Sequence, residues 1–540
     1  MTERLAGIQV QEEAGPGQSI GESPTAVTAF VGRCLRGPVN RPVAVSGFNE
    51  FQRIFGGLWQ PSTLSYAIEQ YFENGGRSAI VVRVANGARC CTLELTAGVQ
   101  PLVLEALAPG TREFLRAAVD YDGIGENEED CFNLVIQRVR TPGSEHIEDQ
   151  EIYRRVSVSP DSPRFVESVL AESALAHVAG PVPRIRPDPT PRNNPRGIAG
   201  YVFSGSDADD GAPLTDYDII GSAAQRTGIF ALDGVDGFNL LCIPPLARDV
   251  DVGASTLLVA NRYCRERRAL LFVDPPLAWD GAAKALAEMR HWPLPSDSAC
   301  MFFPRLLGYD KLRGRFEAFA PSGAVAGALS RASEHWPVWM GACGEEALVR
   351  PGLKLACAVD DEQRGRLAAA GVNTVQTVRR AGRDAPKVAT LAGPGAGAAD
   401  WRSLAARRLA LLVLNSIERG TRWVMFEPNE PQTWRRAEAQ MRDFLATLEA
   451  RGAFADRETG DRWFAVCDER INRDRRREQG IVSLLFGIPG SGPGRFHAWL
   501  VTHRAGGSRV QTVSPNLAGL PDSGLSQVLA ELDVPAVGIF

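Results

Sequence analysis

Two apolar runs constrain this chain most. FNLLCIPP (Phe238–Pro245) and ALLFVDPP (Ala269–Pro276) show no polar alternation and are separated by a helical stretch, Thr256–Arg267. That stretch puts Leu257, Leu258 and Ala260 among the basic Arg262, Arg265 and Arg267. Strands joined through a helix run parallel, because a tight turn can only reverse the chain. Strands without alternation are buried on both faces. AVTAFVG (Ala26–Gly32) and AIVVRV (Ala79–Val84) read the same way. Leu64, Ala67, Ile68, Tyr71 and Phe72 lie between them at helical spacing, and Gly75-Gly76 end that helix. The fold class expected is α/β (α+β mixed) and multidomain.

At 540 residues, and about 150 residues per domain, the chain has room for three or four domains. Residues 88–195 change character. TLEL (Thr92–Leu95), LVLEAL (Leu102–Leu107) and FNLVIQRV (Phe132–Val139) are strand-like pieces between polar loops. One loop gathers Asp120, Asp122, Glu126, Glu128, Glu129 and Asp130. The region leaves through PVPRIRPDPTPRNNPR (Pro181–Arg196), where the prolines forbid regular structure. It reads as a β-rich insertion with a rigid exit. Beyond the break LAGPGAGAAD (Leu391–Asp400), the pattern predicts a helix over Ser403–Arg419 and a strand at Trp423–Pro428. A helix over Thr433–Glu449 follows, striped by Trp434, Ala437, Met441, Phe444 and Leu448. Arg462–Glu469, Gly480–Ile488 and Phe496–His503 are the last strand candidates. At the other end, GIQVQEE (Gly7–Glu13) alternates but is too short to bury itself.

The formal net charge of −5 argues against a dedicated nucleic-acid binder, which carries a basic stripe. No apolar run reaches the ~20 residues a membrane helix needs, and Met1–Val10 has no signal-peptide core. The ten cysteines include no C-x-x-C pair and read as buried free thiols, with intersubunit disulfides as the other reading. The six histidines share no local motif, and no H-E-x-x-H, G-x-S-x-G or Walker sequence occurs. GIPGSGPG (Gly487–Gly494) lacks the Gly-Lys-Ser/Thr ending of a phosphate loop. GSDADDG (Gly205–Gly211) is out of EF-hand register and reads as a solvated loop. The βαβ turn PLARDVDVG has no glycine fingerprint for a dinucleotide. DERINRDRRREQG (Asp468–Gly480) interleaves acids with its arginines and reads as a salt-bridged turn. No catalytic residue, cofactor or metal is expected.

Several segments, in order along nearly the whole chain, resemble the contractile tail sheath proteins of phages and phage-derived injection systems. They are TAFVGRCLRGPVNRPVAVSGFNEFQRIFGG (Thr28–Gly57), YFENGGRSAIVVRV (Tyr71–Val84), SPDSPRFVESVL (Ser159–Leu170) and ALDGVDGFNLLCIPP (Ala231–Pro245). They continue through YCRERRALLFVDPP (Tyr263–Pro276), PSGAVAGALSR (Pro321–Arg331), GVNTVQTVR (Gly371–Arg379) and RRLALLVLNSIERGTRWVMFEPNEPQTW (Arg407–Trp434).

The resemblance implies a structural subunit rather than an enzyme. Its expected layout is an inner sheath domain built from N- and C-terminal parts, an α/β middle domain, a β-rich outer insertion and extended terminal arms: in order, an N-terminal arm (1–24), an N-terminal part of the sheath core (25–87) and the outer insertion (88–195). An α/β domain (196–390), a tube-facing, strand-accepting C-terminal domain (391–505) and a C-terminal extension (506–540) complete it. Such subunits stack as hexameric rings around an inner tube and contract from a metastable extended state, their sheets joined by donated strands. Here the donated strand would be Gly7, Ile8, Gln9, Val10, Gln11, Glu12 and Glu13. The receiving edge would be Ile481, Val482, Ser483, Leu484, Leu485 and Phe486, beside a C-terminal strand at His497, Ala498, Trp499, Leu500 and Val501. Arg407, Arg408, Arg419 and Arg422 would be exposed and face the tube. Implied partners are further copies of the chain, the inner tube protein, and baseplate and terminator or cap proteins, with no nucleic acid and no membrane insertion. Assembly in a bacterial cytoplasm, into a phage tail or injection particle, follows. A baseplate- or cap-proximal paralogue is the alternative, and a hydrolase on the middle α/β domain is the remote one.

Overall fold

The computed structural model describes residues 19–141, 143–191, 200–341, 349–375, 388–393, 399–454, 463–472, 479–490 and 496–513. The chain divides into two compact units, and the division is not sequential. One unit holds Ala26–Trp336 and the residues up to Leu391; the other holds the residues up to Thr25, Pro337–Gly341, and those from Ala392 onward.

The larger unit is built on the expected parallel sheet. Its seven strands run Val372–Thr374, Ala299–Phe303, Leu270–Val273, Leu240–Cys242, Thr28–Gly32, Ala79–Arg83 and Val43–Val45 in spatial order. All pairs are parallel except the last. Every residue of Thr28–Gly32, Ala79–Arg83, Leu270–Val273 and Ala299–Phe303 is buried. Ala29, Val31, Leu241, Leu271 and Met301 enter one core with Ile219, Leu257, Ala260, Ala285 and Leu367 of four helices. On the other face Phe30 meets Tyr71 edge to face at 5.4 Å. Residues 25–87 were expected to build the core with the C-terminal segment. Instead their strands sit inside this sheet, because AFVG and AIVVR need cover on both faces, and only the residues up to Thr25 join the C-terminal unit.

The insertion has a core of its own made from two antiparallel sheets. One is Thr92–Leu95, Leu102–Ala106 and Ala176–Val178; the other is Val202–Phe203, Phe114–Asp120, Cys131–Val139 and Ile147–Ser157. Strand pairing continues past residue 195, since Val202–Phe203 pairs with Arg116–Ala117 and Asn86 bridges Ala212. The proline-rich exit lies along the sheet: Arg186 covers the Tyr121 ring at 3.8 Å and Tyr121 Oη donates to Pro187 O.

The C-terminal unit packs helices Leu404–Gly420 and Pro431–Ala450 on a four-stranded antiparallel sheet. Its core includes Leu412, Val413, Ile417, Met441, Leu445, Leu484, Phe486 and Val501. The predicted strand Trp423–Pro428 is instead a 3₁₀ turn, Arg422–Phe426. Tertiary contacts override its apolar pattern: the Trp423 indole donates to Gln440 Oε1 and Arg436 stacks on its ring at 3.8 Å. Among the described residues, no helix is long and apolar enough to cross a membrane.

Two local features set stability. Helix Ser322–His335 meets helix Thr63–Glu73 almost backbone to backbone: a Cβ on Gly327 would lie 2.2 Å from Tyr71 O, and one on Gly323 2.1 Å from Ala67 O. His503, fully buried, contacts Thr421 Oγ1 through Nε2 (2.9 Å) and Ser508 Oγ through Nδ1 (2.7 Å). Thr421 already donates its proton to Ile417 O, so the neutral ring donates from Nε2 and accepts at Nδ1. Burial, with Glu418 opposing and Arg422 assisting, pushes the His503 value down to about 4.

Gly327→Ala forces the helices apart and is expected to destabilise the larger unit by about 1–3 kcal/mol. Gly365→Ala, in helix Asp361–Ala369 with open space around it, is expected to stabilise by about 0.5–1 kcal/mol. Thermal melts of the two variants should move in opposite directions. For His503 the folded value lies below the unfolded one, so the unfolded chain takes the proton first as pH falls. Its contribution is complete above the unfolded value and is lost between roughly 6.5 and 4, amounting to about 3 kcal/mol. Asp274 acts in the opposite sense: burial raises it to about 6, against Arg305 and Ser322, so acidification favours its folded form. His503→Gln keeps a donor and an acceptor without the titration. Its denaturation midpoint should fall less than the wild type's between pH 6.5 and 4.

Candidate functional site

The crevice at the carboxyl ends of a parallel sheet, where strand order reverses, is where α/β folds hold ligands. Here it lies between Thr28–Gly32 and Leu240–Cys242, and the chain fills it itself. Ser62 Oγ caps helix Thr63–Glu73 by accepting from Ser65 N, and it donates to Arg33 O, just past the first strand. Thr63 Oγ1 donates to Pro245 O, past the second. The cavity that remains, beside Tyr66, Arg248 and Phe319, is about 20 Å³, room for about one water. Arg248 is committed there, to Asp310 at 2.6 Å and over the Tyr66 ring. Asp207 and Asp210 of the loop Gly205–Gly211 are also committed, each accepting from a backbone N–H and a hydroxyl, of Thr92 and Thr111 respectively. Among the described residues no group of three His, Cys, Asp or Glu side chains could hold a metal ion.

The histidine contacts do not assemble a triad. His503 lies against Ser508, but its other nitrogen faces the hydroxyl of Thr421 rather than a carboxylate. His497 lies 3.3 Å from Asp400, sandwiched against the Trp401 ring at 3.9 Å. The described cysteines are free. Burial pushes Cys34 up to about 12 and Cys90 to about 11, and raises Cys242, Cys264 and Cys467 further, which leaves them poor nucleophiles.

The surface with chemistry to offer is main chain. The C-terminal sheet runs Phe464–Val466, Val482–Pro489, Phe496–Arg504, Gly507–Val513. Val482–Pro489, which contains most of the expected receiving edge 481–486, is an interior strand: Phe464–Val466 pairs on one side and Phe496–Arg504 on the other. Where the short Phe464–Val466 does not reach, Asn472 substitutes for a strand, accepting from Ser483 N (2.7 Å) and donating to Ser483 O (3.0 Å). The expected C-terminal strand 497–501 is interior as well. This corrects the receiving-edge assignment, because a strand with two neighbours has no main chain to offer.

The free edge lies in what was expected to be an extension. Gly507–Val513 pairs with Ala498–Arg504 across a two-residue turn, with Arg504 opposite Gly507. The alternation of an antiparallel ladder then turns the N–H and C=O of Ser508, Val510 and Thr512 away from the sheet. No periodicity marked this strand, since GSRVQTV has few apolar residues. The rest of the extension, 514–540, lies outside the described residues, as does the expected donated strand, Gly7–Glu13.

Residues 19–25 lead from that segment along helix Leu404–Gly420. Ile20 sits over Gly420, where a Cβ would come within 2.9 Å of it. Ser23 N donates to Ser416 Oγ, and Glu22 pairs with Arg451. The buried Arg408 donates to Thr25 O at 3.2 Å. Arg408 is therefore no exposed residue: the chain's own N-terminal stretch covers it. Arg407 is half-buried against Trp401, Arg419 is exposed, and Arg422 is exposed but bidentate to Glu418.

No family model matches the sequence, and no curated protein sequence matches it. Solved structures do. The sheath tail protein of Listeria innocua is 11% identical with a TM-score of 0.59, over 90% of this chain and 96% of its own. The PVC sheath of an extracellular contractile injection system, in the contracted state, is 14% identical with a TM-score of 0.52, over 92% and 96%. A chain of the contracted anti-feeding prophage baseplate is 17% identical with a TM-score of 0.50, over 91% and 96%. The chain therefore has the fold of the sheath proteins of contractile tails and injection systems.

Proposed function

We propose that the protein is the structural subunit of a contractile tail sheath and not an enzyme. It polymerises as stacked hexameric rings around an inner tube, between a baseplate and a terminator or cap, and contracts from an extended state to drive the tube through a target envelope. Assembly takes place in a bacterial cytoplasm, and the product is a phage tail or an injection particle. The observation that carries this reading is the likeness in fold to sheath proteins across nine-tenths of the chain.

The arm anchored by Ile20 and Arg408 carries Gly7–Glu13 to a neighbouring copy, where the strand adds to a sheet by main-chain hydrogen bonds. Its acceptor is the outer edge of Gly507–Val513. Of the basic residues assigned to the tube, Arg419 and Arg422 keep that role and Arg408 loses it.

Electron microscopy of the full chain should show ridged tubes or hexameric rings. A monomer under all assembly conditions would overturn the proposal. Deleting residues 1–13 should abolish tubes. Thr512→Pro should do the same, because it removes an outward N–H that the fold does not use. Both variants should melt within about 2 °C of wild type. Normal tubes from Thr512→Pro would refute the assigned edge.

A further inference from the structure

The insertion carries opposite charge at its two ends. At one end, residues of the insertion and of the stretch 35–59 enclose a groove of about 670 Å³, large enough to hold a peptide turn. Half-buried Trp59 and exposed Ile147 supply its apolar floor. Arg53, Arg112 and Arg140 line it and are exposed. Among the described residues Arg112 has no partner, while Arg53 and Arg140 make only distant contacts, 3.9 Å to Glu50 and 4.0 Å to Glu148. Glu148, the one acid lining the groove, is already held by Arg36 at 2.5 Å. The groove thus presents three under-used guanidinium groups around an apolar floor, in an arginine-and-aromatic composition typical of interface anchors.

At the other end is the acidic loop. Strands Phe114–Asp120 and Cys131–Val139 begin and end beside Arg112 and Arg140, and the loop 121–130 joins their far ends. Seven residues of strand put the two ends roughly 20 Å apart, so the loop cannot reach the groove of its own chain. The loop is held by turns: Ile124 N donates to Tyr121 O, Glu128 accepts from Gly125 N and pairs with Arg155, and Asp130 accepts from Ser157 Oγ. Glu126 and Glu129 are exposed and have no partner among the described residues. A rigid acidic turn at one end and an open basic groove at the other are complementary only between copies. Such a head-to-tail contact is heterologous, so it propagates into rings or helices rather than closing as a dimer.

We infer that the groove of Arg53, Arg112 and Arg140 receives the acidic turn of a second copy, with Glu126 and Glu129 as the incoming carboxylates. This contact is made by side chains and is separate from strand donation; it deepens the sheath reading but can be tested apart from it. Arg112→Glu with Arg140→Glu in the full chain should weaken salt-sensitive self-association, read by sedimentation, by at least about tenfold. Glu126→Arg with Glu129→Arg should weaken it similarly, and combining all four changes should restore it. Loss without restoration overturns the pairing, as does unchanged association in the charge-reversed variant, which is also the result expected if the groove holds a small anion. Swap-restored association without tubes in the microscope keeps this contact and overturns the sheath reading. Tubes indifferent to the reversals keep the sheath reading and overturn this contact. A wild-type chain that stays monomeric at every salt and concentration overturns both.

Discussion

Main-chain hydrogen bonding at sheet edges governs how this molecule is organised. An unpaired edge is a row of donors and acceptors that must be satisfied, covered or used. The parallel sheet ends on three-residue strands, Val372–Thr374 and Val43–Val45, which leave little edge to pair. The insertion's long edge strand, Ile147–Ser157, carries charges along its length and register shifts against its neighbour, both devices that discourage pairing. On the C-terminal sheet, one side is closed by Phe464–Val466 and by the amide of Asn472. The remaining side, Gly507–Val513, is long and regular for its sheet and carries no such device. Among the described strands of the C-terminal sheet, Gly507–Val513 is therefore the edge left open to the strand addition proposed above.

The same economy appears where the parallel sheet could have held a ligand. Ser62 and Thr63 use the polar carbonyls at the strand-order reversal to fix a helix N-terminus. The adjacent Gly32 lies against Leu64, where a Cβ would come within 3.0 Å. Gly323 and Gly327 then let the next helix press on that one. A crevice that serves binding in other α/β folds becomes a packed joint.

Much of this was legible in the residues. Doubly buried strands such as LLFV announce a parallel sheet because every position is apolar, and helix limits followed from Gly75 and Ser403. The misses share a cause. Val482–Pro489 is more apolar than Gly507–Val513, so it attracts attention as a pairing strand, but that apolarity reflects burial between neighbours. The true edge is half-polar for the reason that it is an edge. Arg408 looked like a surface cation because nothing local shows that residues 19–25, nearly 400 positions away, lie across it. Trp423–Pro428 looked like a strand because a short apolar run cannot distinguish a strand from a buried turn.

The two proposed kinds of intersubunit contact differ in what they could do during a large rearrangement. Added strands are bound by several parallel hydrogen bonds whose geometry travels with the sheet, so they persist as neighbours tilt, and salt screens them little. Paired side-chain charges at a surface groove are screened within about 8 Å at physiological salt and break as soon as the copies slide. A polymer that must stay connected while changing its neighbours' spacing needs both. Ile20 and the open edge both belong to the C-terminal unit, so the proposed strand links would run between like units. The charged groove and turn both belong to the other unit, so the proposed exchangeable contact would fall to the part of the chain that the proposed strand donation does not tether.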